Sequence, residues 1–230
     1  MKRILSIETA TTVCSVAIHE DNECIALKEI NEPNAHSEKL TVLIEQLLNE
    51  RNLQIADFNA IALSKGPGSY TGLRIGASVA KGLCYACKLP LITVDTLKAL
   101  ALSCKNKVQN NAPEVIYMPM IDARRMEVYT SLWNNQLQNI QDTHALVVTY
   151  EAKASFEPTK HYYLCGDGSS KCRETLESGN ITFVDNIDAT AKTIGDLACE
   201  LYDKQEFADV AYFEPFYLKE FQATTPKKLI

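Results

Sequence analysis

The chain has 230 residues, of which 46% are hydrophobic and 23% are charged. This length fits one large domain or two small ones, and the apolar fraction excludes disorder as the main state because it can offset chain entropy. The 29 acidic and 23 basic residues give a net charge of −6. Direct nucleic-acid binding as the main function is disfavoured, because it needs dense Lys and Arg. A local basic cluster remains at Lys227 and Lys228.

Apolar runs and cysteines indicate where the protein resides. No apolar run approaches the roughly 20 residues of a membrane helix, and Ile4–Ile7 is too short for a signal-peptide core. We therefore expect a soluble, cytoplasmic protein without membrane contact. The pair Cys84 and Cys87 has no second pair at zinc spacing and falls in an apolar helical pattern. Buried, reduced thiols are favoured for the eight cysteines, with metal or redox chemistry as the alternative.

The first half of the chain is predicted to fold in the order β-β-β-α-β-α-β-α. Short strand-like runs joined by tight polar turns predict antiparallel hairpins at the start, and apolar residues at helical spacing predict the first helix. The predicted strands are Arg3–Ile7, Val13–His19, Cys24–Glu29, Ala60–Leu63 and Leu91–Val94, and the predicted helices are Leu40–Leu48, Leu73–Cys87 and one capped by Thr96 that runs through Leu102.

The second half repeats the opening pattern after a polar segment, Lys105–Pro113, which is predicted as a linker. Each half begins with a strand that ends in an acidic residue, Glu8 or Asp122, and then turns into another strand. Two similar α/β lobes, 1–106 and a shorter 107–230, therefore fit better than one sheet, and we leave open whether the final segment packs back on the first lobe. The predicted elements are strands at Val115–Ile121, Met126–Trp133, Ala145–Thr149, Tyr162–Cys165 and Ile181–Val184, and a helix near Thr190–Lys204.

A glycine-rich loop stands between a predicted strand and the helix Leu73–Cys87. Amides at such a helix start can hold an anion. The loop lacks both nucleotide signatures, since Leu73 replaces the lysine of a Walker loop and Thr71 replaces a glycine of the dinucleotide fingerprint. A tight turn with close packing is favoured, and an anion site is the alternative.

The helix after this loop carries small residues four apart, Gly72, Gly76 and Ala80. Glycine inside a helix costs about 1 kcal/mol relative to alanine, so such a face indicates close approach of another backbone. That backbone belongs either to the protein's own sheet or first helix, or to a docked partner.

Catalytic and metal-binding patterns are missing from the sequence. A zinc helix would place a second histidine four residues after His36, and that position is Leu40. No Gly-x-Ser-x-Gly or His-Glu-x-x-His occurs. Glu8 and Asp122 could together hold a metal-bound phosphate, although acidic turn residues explain them more simply. We predict no catalytic residue and no metal site.

Motifs spread over the whole chain resemble the bacterial TsaB (YeaZ) family. The resemblance implies two RNase H-like lobes of the actin/Hsp70/sugar-kinase (ASKHA) type. It also implies a role in making threonylcarbamoyladenosine, the modification of the adenosine 3′ of the anticodon in tRNAs that read ANN codons. The matching motifs are Ile4–Ala17, Ser64–Gly76, Asp122–Arg124 with Glu127–Tyr129, Gly166–Gly168 and Glu214–Leu218.

The same resemblance implies a division of labour among proteins. In that family TsaD transfers the threonylcarbamoyl group from its adenylate, and TsaB is a required, non-catalytic partner. We therefore expect a heterodimer with a TsaD-like transferase, joined by a TsaE-like ATPase, with ATP, Mg²⁺ and metal held by the partners and none by this chain. We expect tRNA to be contacted only through the complex. Whether the isolated chain forms a homodimer is left open.

The resemblance and the residues together give candidate sites. The family usually has Asp-Thr-Ser where this chain has Glu8-Thr9-Ala10, so Glu8, Thr9 and Asp122 are predicted as a vestigial phosphate site. The predicted partner interface lies on two helices and consists of Leu40, Leu43, Leu47, Leu73, Gly76, Ala77, Ala80, Leu83 and Cys84. Two other functions remain as alternatives, an ASKHA-type small-molecule kinase or ATPase and, less favoured, a peptidase.

Overall fold

The computed structural model describes residues 1–32 and 35–219, so the basic cluster Lys227–Lys228 lies outside the described residues. The strands are β1 (Arg3–Glu8), β2 (Val13–Glu20), β3 (Glu23–Asn31), β4 (Ala60–Gly66), β5 (Leu91–Asp95), β6 (Val115–Asp122), β7 (Glu127–Asn134), β8 (Asn139–Val147), β9 (His161–Cys165) and β10 (Ile181–Val184). The α-helices are α1 (His36–Arg51), α2 (Tyr70–Cys87), α3 (Thr96–Val108), α4 (Arg173–Leu176) and α5 (Ala191–Asp203).

Two five-stranded sheets share one topology. The first has the order β3-β2-β1-β4-β5 and the second β10-β9-β6-β7-β8. In each, three strands form an antiparallel meander, a fourth strand pairs in parallel with the first strand of the meander, and the fifth pairs in parallel with the fourth. This duplication confirms the predicted two-lobed α/β fold.

Helices cover both faces of the first sheet. Side chains of α1 and α2, including Leu40 and Ala80, pack with β1, β2 and β4 on one face. On the other face α5 packs through Ile194 and Leu197 against Ile4. The amide of Ala191 at the start of α5 donates to Ser15 Oγ in β2 at 2.8 Å. Although α5 follows the second sheet in the chain, it belongs to the packing of the first.

Helix α3 joins the two sheets, and its limits differ from the prediction. It extends to Val108, into the predicted linker Lys105–Pro113, because Lys105 and Lys107 suit the last turn of a helix. Its N-cap is Asp95, whose Oδ1 accepts from the Lys98 amide at 3.0 Å, and not Thr96. One face of α3 packs on β6 and β7 of the second sheet.

Strand β8 is the largest difference in the second half. It begins at Asn139, six residues before the predicted start at Ala145. Its first four residues are polar or exposed, so they lack the alternation of apolar and polar residues that indicates a strand. Pairing with β7 determines the conformation of this edge strand.

Within the described ranges, no helix combines the length and apolarity that crossing a membrane requires.

Candidate functional site

The glycine loop between β4 and α2 packs on the turn between β1 and β2. A Cβ on Gly68 would lie 2.3 Å from the Ala10 carbonyl oxygen, and one on Gly72 would lie 2.1 Å from that of Thr9. The Ser69 amide donates to the Ala10 carbonyl at 2.7 Å, and Ser69 Oγ accepts from the Gly72 amide at 3.3 Å. The glycines therefore serve close packing within the first lobe, and these two amides are already used.

Glu8, at the end of β1, is turned inward beneath this loop. The residue is 0% exposed, and its Oε1 accepts from the Ala10 amide at 2.5 Å and from Ser64 Oγ at 2.9 Å. Burial raises the pKa of the Glu8 carboxyl to about 7, against hydrogen bonds that lower it. Its Oε2 and Thr9 Oγ1 are buried and have no hydrogen-bond partner among the described residues. Neither side chain of the predicted phosphate site in this lobe reaches solvent.

Asp122, the corresponding residue at the end of β6, is exposed but neutralised. Lys171 Nζ lies 2.5 Å from Asp122 Oδ1 and also donates to the carbonyls of Arg125 and Glu127, each at 2.7 Å. The Asp122 amide donates to Asp167 Oδ1 at 3.1 Å. An ammonium group therefore already pairs with Oδ1 of this carboxylate, and a divalent cation would have to compete with it.

Lys171 has no signal in the sequence. It lies in the 3₁₀ turn Ser170–Cys172, 49 residues after Asp122, and only the fold brings the two together. The neighbouring turn Gly166–Gly168 contributes Asp167, and partial desolvation of its carboxyl raises the pKa of Asp167, although the residue as a whole is exposed.

The predicted partner interface lies largely inside the protein. Leu43 and Leu83 are half-buried, and the other seven residues are buried in the chain itself: Leu40, Leu47, Leu73, Gly76, Ala77, Ala80 and Cys84. A Cβ on Gly76 would lie 2.3 Å from Thr9 Oγ1. The structure therefore corrects the assignment of these seven as partner contacts. Their helical spacing identifies a buried face, but spacing does not reveal what buries it.

The outward faces of the same two helices are formed by other residues. Tyr85 of α2 is 85% exposed and Val42 of α1 is 40% exposed. A cavity of about 570 Å³ lies beside Tyr85, lined by Lys81, Gly82 and the segment Asp209–Ala211. The surface that these helices leave open is therefore partly apolar.

Residues 208–219, here called the strap, run back over the first lobe. The Ala208 amide donates to the Leu91 carbonyl at 2.8 Å, and the Phe216 amide donates to the Lys65 carbonyl at 2.7 Å. Lys81 Nζ donates to the carbonyls of Ala211 and Phe213 at 3.0 and 3.1 Å. The described part of the final segment thus contacts the first lobe.

Metal and thiol chemistry has few candidates here. No group of three or more His, Cys, Asp or Glu side chains that could hold a metal occurs in residues 1–32 and 35–219. His36 is buried at the start of α1. All eight cysteines are free and six are buried, as the prediction of buried thiols expected for those six, whereas Cys24 and Cys87 are half-buried.

Comparison with known proteins extends these observations. The model of the family described as "TsaD: tRNA N6-adenosine threonylcarbamoyltransferase" matches residues 30–227. The tRNA threonylcarbamoyladenosine biosynthesis protein TsaB of Escherichia coli (strain K12) is 29% identical over 225 residues, which cover 94% of each chain.

Solved structures share the fold. YeaZ from Pseudomonas aeruginosa superposes with a TM-score of 0.81 at 23% identity, over 95% of this chain and 100% of that one. The (R)-2-hydroxyglutaryl-CoA dehydratase component A of Acidaminococcus fermentans superposes with a TM-score of 0.51 at 11% identity, over 89% and 99%. The fold is thus the two-lobed ASKHA type. The chain belongs to the TsaD family and to its TsaB (YeaZ) branch.

Proposed function

We propose that this chain is a non-catalytic subunit for threonylcarbamoyl transfer to tRNA, a reaction that a separate TsaD-like transferase catalyses with a TsaE-like ATPase in the cytoplasm. Full-length similarity to proteins named for tRNA threonylcarbamoyladenosine biosynthesis supports the pathway. The observation that carries the non-catalytic role is that neither acidic residue at a strand end is free to bind a ligand. Glu8 is buried, and Asp122 is paired with Lys171.

The ATP and Mg²⁺ that the fold family implies do not fit the residues present. Magnesium is bound through accessible carboxylates together with the phosphates of its nucleotide. Glu8 is inaccessible and neutral over part of the physiological pH range, since its pKa is about 7. Asp122 already binds an ammonium group. We therefore assign ATP, Mg²⁺ and catalytic metal to the partners, and a kinase or ATPase is disfavoured.

A peptidase is disfavoured for a related reason. His19 Nε2 lies 3.0 Å from Asp196 Oδ1. A Cβ on Gly195 would lie 2.1 Å from His19 Nδ1 and 2.7 Å from Ser6 Oγ, so a serine and a histidine lie close together. Both Ser6 and His19 are 0% exposed beneath α5. Because no peptide can reach the serine, the arrangement serves packing between α5 and the sheet.

The outward face of α1 and α2 is the proposed contact for the transferase. Tyr85 and Val42 offer apolar area that residues 1–32 and 35–219 leave uncovered, and the cavity of about 570 Å³ beside Tyr85 can accept a side chain. Exposed aromatic residues of this kind often anchor protein interfaces. Formation of a homodimer by the isolated chain would use the same face.

The test is a reconstitution in which single components are omitted. Purified chain is incubated with ATP, threonine, bicarbonate, unmodified tRNA and an enzyme that makes the threonylcarbamoyl adenylate, with or without the TsaD-like and TsaE-like proteins of the same organism. Modified nucleoside should form when the transferase and this chain are both present, and fall to background when either is omitted. Robust product from this chain without the transferase would contradict the proposal.

A further inference from the structure

The hairpin tip Ala123–Met126, between β6 and β7, has a backbone that does not suit its sequence. Arg124 and Arg125 have φ angles of +67° and +48°. Such left-handed conformations favour Gly or Asn, so two consecutive arginines carry a conformational cost that Gly or Asn at these positions would avoid. Backbone strain of this kind is a reason to look for a function of the side chains.

The backbone of this tip is held firmly from below. Lys171 Nζ binds the Arg125 and Glu127 carbonyls, and the Arg124 amide donates to Asp122 Oδ1 at 2.7 Å. The Ala123 amide donates to the Glu127 carbonyl at 3.1 Å. These bonds use backbone atoms and leave both guanidinium groups available.

The two carboxylates that flank the tip, Asp122 and Glu127, are already paired with lysines. Asp122 pairs with Lys171, and Glu127 pairs with Lys219 of the strap. Arg124 and Arg125 are exposed, and neither guanidinium has a partner in the described part of the chain. Although the chain has a net charge of −6, two adjacent positive charges here are not paired with any carboxylate of residues 1–32 and 35–219.

Exposed apolar and aromatic side chains lie on the tip and on the chain segment that pairs with it. Met126 is 42%, Val147 60% and Tyr150 66% exposed. The Val148 amide donates to the Met126 carbonyl at 2.8 Å, which places Val148, two residues before Tyr150, beside the tip. Lys153 Nζ lies 5.9 Å from the centre of the Tyr150 ring. The nearby Glu151 carboxylate is hydrogen-bonded to Thr149, which lowers the pKa of Glu151.

We propose that this surface, formed by Arg124, Arg125 and Tyr150, contacts the sugar–phosphate backbone and one unpaired base or sugar of the tRNA within the assembled complex. The inference rests on the proposed function, which supplies the RNA. Arginine forks match phosphate geometry, and an exposed tyrosine offers a stacking platform that an acidic protein partner would not need. Two phosphate contacts add affinity to a complex but do not suffice alone, which is consistent with the acidic charge of the chain.

The test measures the affinity of the complex for tRNA as a function of salt. The complex of this chain with its TsaD-like partner is titrated with a fluorescent, unmodified ANN-decoding tRNA transcript. The double variant R124A/R125A should bind about ten-fold more weakly. The slope of log K against log salt concentration, measured over roughly 50–200 mM KCl, should be smaller in magnitude by about 2 than that of the wild type. R124K/R125K should keep the wild-type slope, because the charges remain.

Two further sets of variants distinguish a contact at this surface from a general effect of lost positive charge. The control K192A/K204A removes two exposed lysines, Lys192 of α5 and Lys204 directly after it, and should leave affinity and slope unchanged. Y150A should weaken binding about five-fold without changing the slope, whereas Y150F should bind like the wild type.

Three results would overturn the proposed contact between this surface and tRNA. These are unchanged affinity and slope in R124A/R125A, an equal loss in K192A/K204A, or dissociation of the R124A/R125A complex in size exclusion, which would identify a protein contact instead. Omission of this chain from the reconstitution tests the proposed function separately, because its outcome does not depend on these two arginines.

Discussion

The two acidic strand ends occupy the same topological position in the two lobes but are closed by different forces. Glu8 is the last residue of β1 and is 0% exposed, held beneath a glycine loop whose backbone touches the β1–β2 turn. Asp122 is the last residue of β6 at an exposed hairpin, and its side chain is 51% exposed beside Lys171. The first closure depends on packing and on protonation, whereas the second depends on charge. Steric and pH changes should therefore affect the first lobe, and salt should affect the second.

The largest effect is expected from Gly72→Ala in the first lobe. A Cβ there would lie 2.1 Å from the Thr9 carbonyl oxygen, a backbone atom that cannot move without shifting the β1–β2 turn. We expect the free energy of unfolding to fall by about 3 kcal/mol or more. Chemical denaturation of the purified variant measures the change.

Gly82→Ala on the same helix is the matched control. A Cβ on Gly82 meets nothing within 4 Å, so the variant should be stabilised by up to about 1 kcal/mol through helix propensity. Equal stability of the Gly72→Ala and Gly82→Ala proteins would show that the loop is not closed by packing.

The second effect concerns the pH dependence that Glu8 imposes. Its pKa is about 7 in the folded protein against a usual value of 4.5, so the folded state holds the proton more tightly. Stability is therefore lost as pH rises through this window, by about 3 kcal/mol in total, and the loss levels off above pH 7. Glu8→Gln should remove this decline. The free energy of unfolding of the variant should therefore exceed that of the wild type most clearly near pH 8.

Urea denaturation between pH 5 and 8 compares the two proteins. Parallel curves for the wild type and Glu8→Gln across this range would mean that the carboxyl is accessible and ordinary.

The smallest effect is expected from Lys171→Met in the second lobe. The variant loses an ion pair with a half-exposed carboxylate and two bonds to backbone carbonyls. We expect a loss of about 1 kcal/mol at low salt and less at 1 M NaCl, because salt screens exposed charges. The same salt series on Glu8→Gln should show no such dependence. A loss that does not change with salt would place Lys171 in the packing of the lobe instead.

The sequence predicts the fold well because the relevant signals are local. Strand runs separated by polar turns and the apolar spacing around Leu40 determine most elements. The extent of β8 could not be predicted, since its polar residues gain their conformation only by pairing with β7. The spacing of glycines in α2 likewise predicts close packing without identifying the β1–β2 turn as the contact.

The candidate site is harder to predict because it depends on distant pairs. Spacing places Glu8 and Asp122 at strand ends, but burial of the first depends on Ser64, 56 residues away. Neutralisation of Asp122 depends on Lys171, which belongs to no recognisable sequence motif. The prediction of the partner face is wrong for a different reason. Amphipathic spacing identifies the buried side of α2, whereas the outward side that contains Tyr85 has no periodic signal.

The most direct test of the account removes both carboxylates from the reconstituted reaction. The double variant Glu8→Gln/Asp122→Asn is combined with the TsaD-like and TsaE-like partners, and the rate of tRNA modification is compared with wild type after folding is verified by thermal melting. Because neither carboxylate holds a nucleotide or a metal in this account, the rate should stay within about three-fold of wild type. A loss of about 100-fold or more in a folded, partner-bound variant would contradict the account and give this chain a catalytic or nucleotide-holding role.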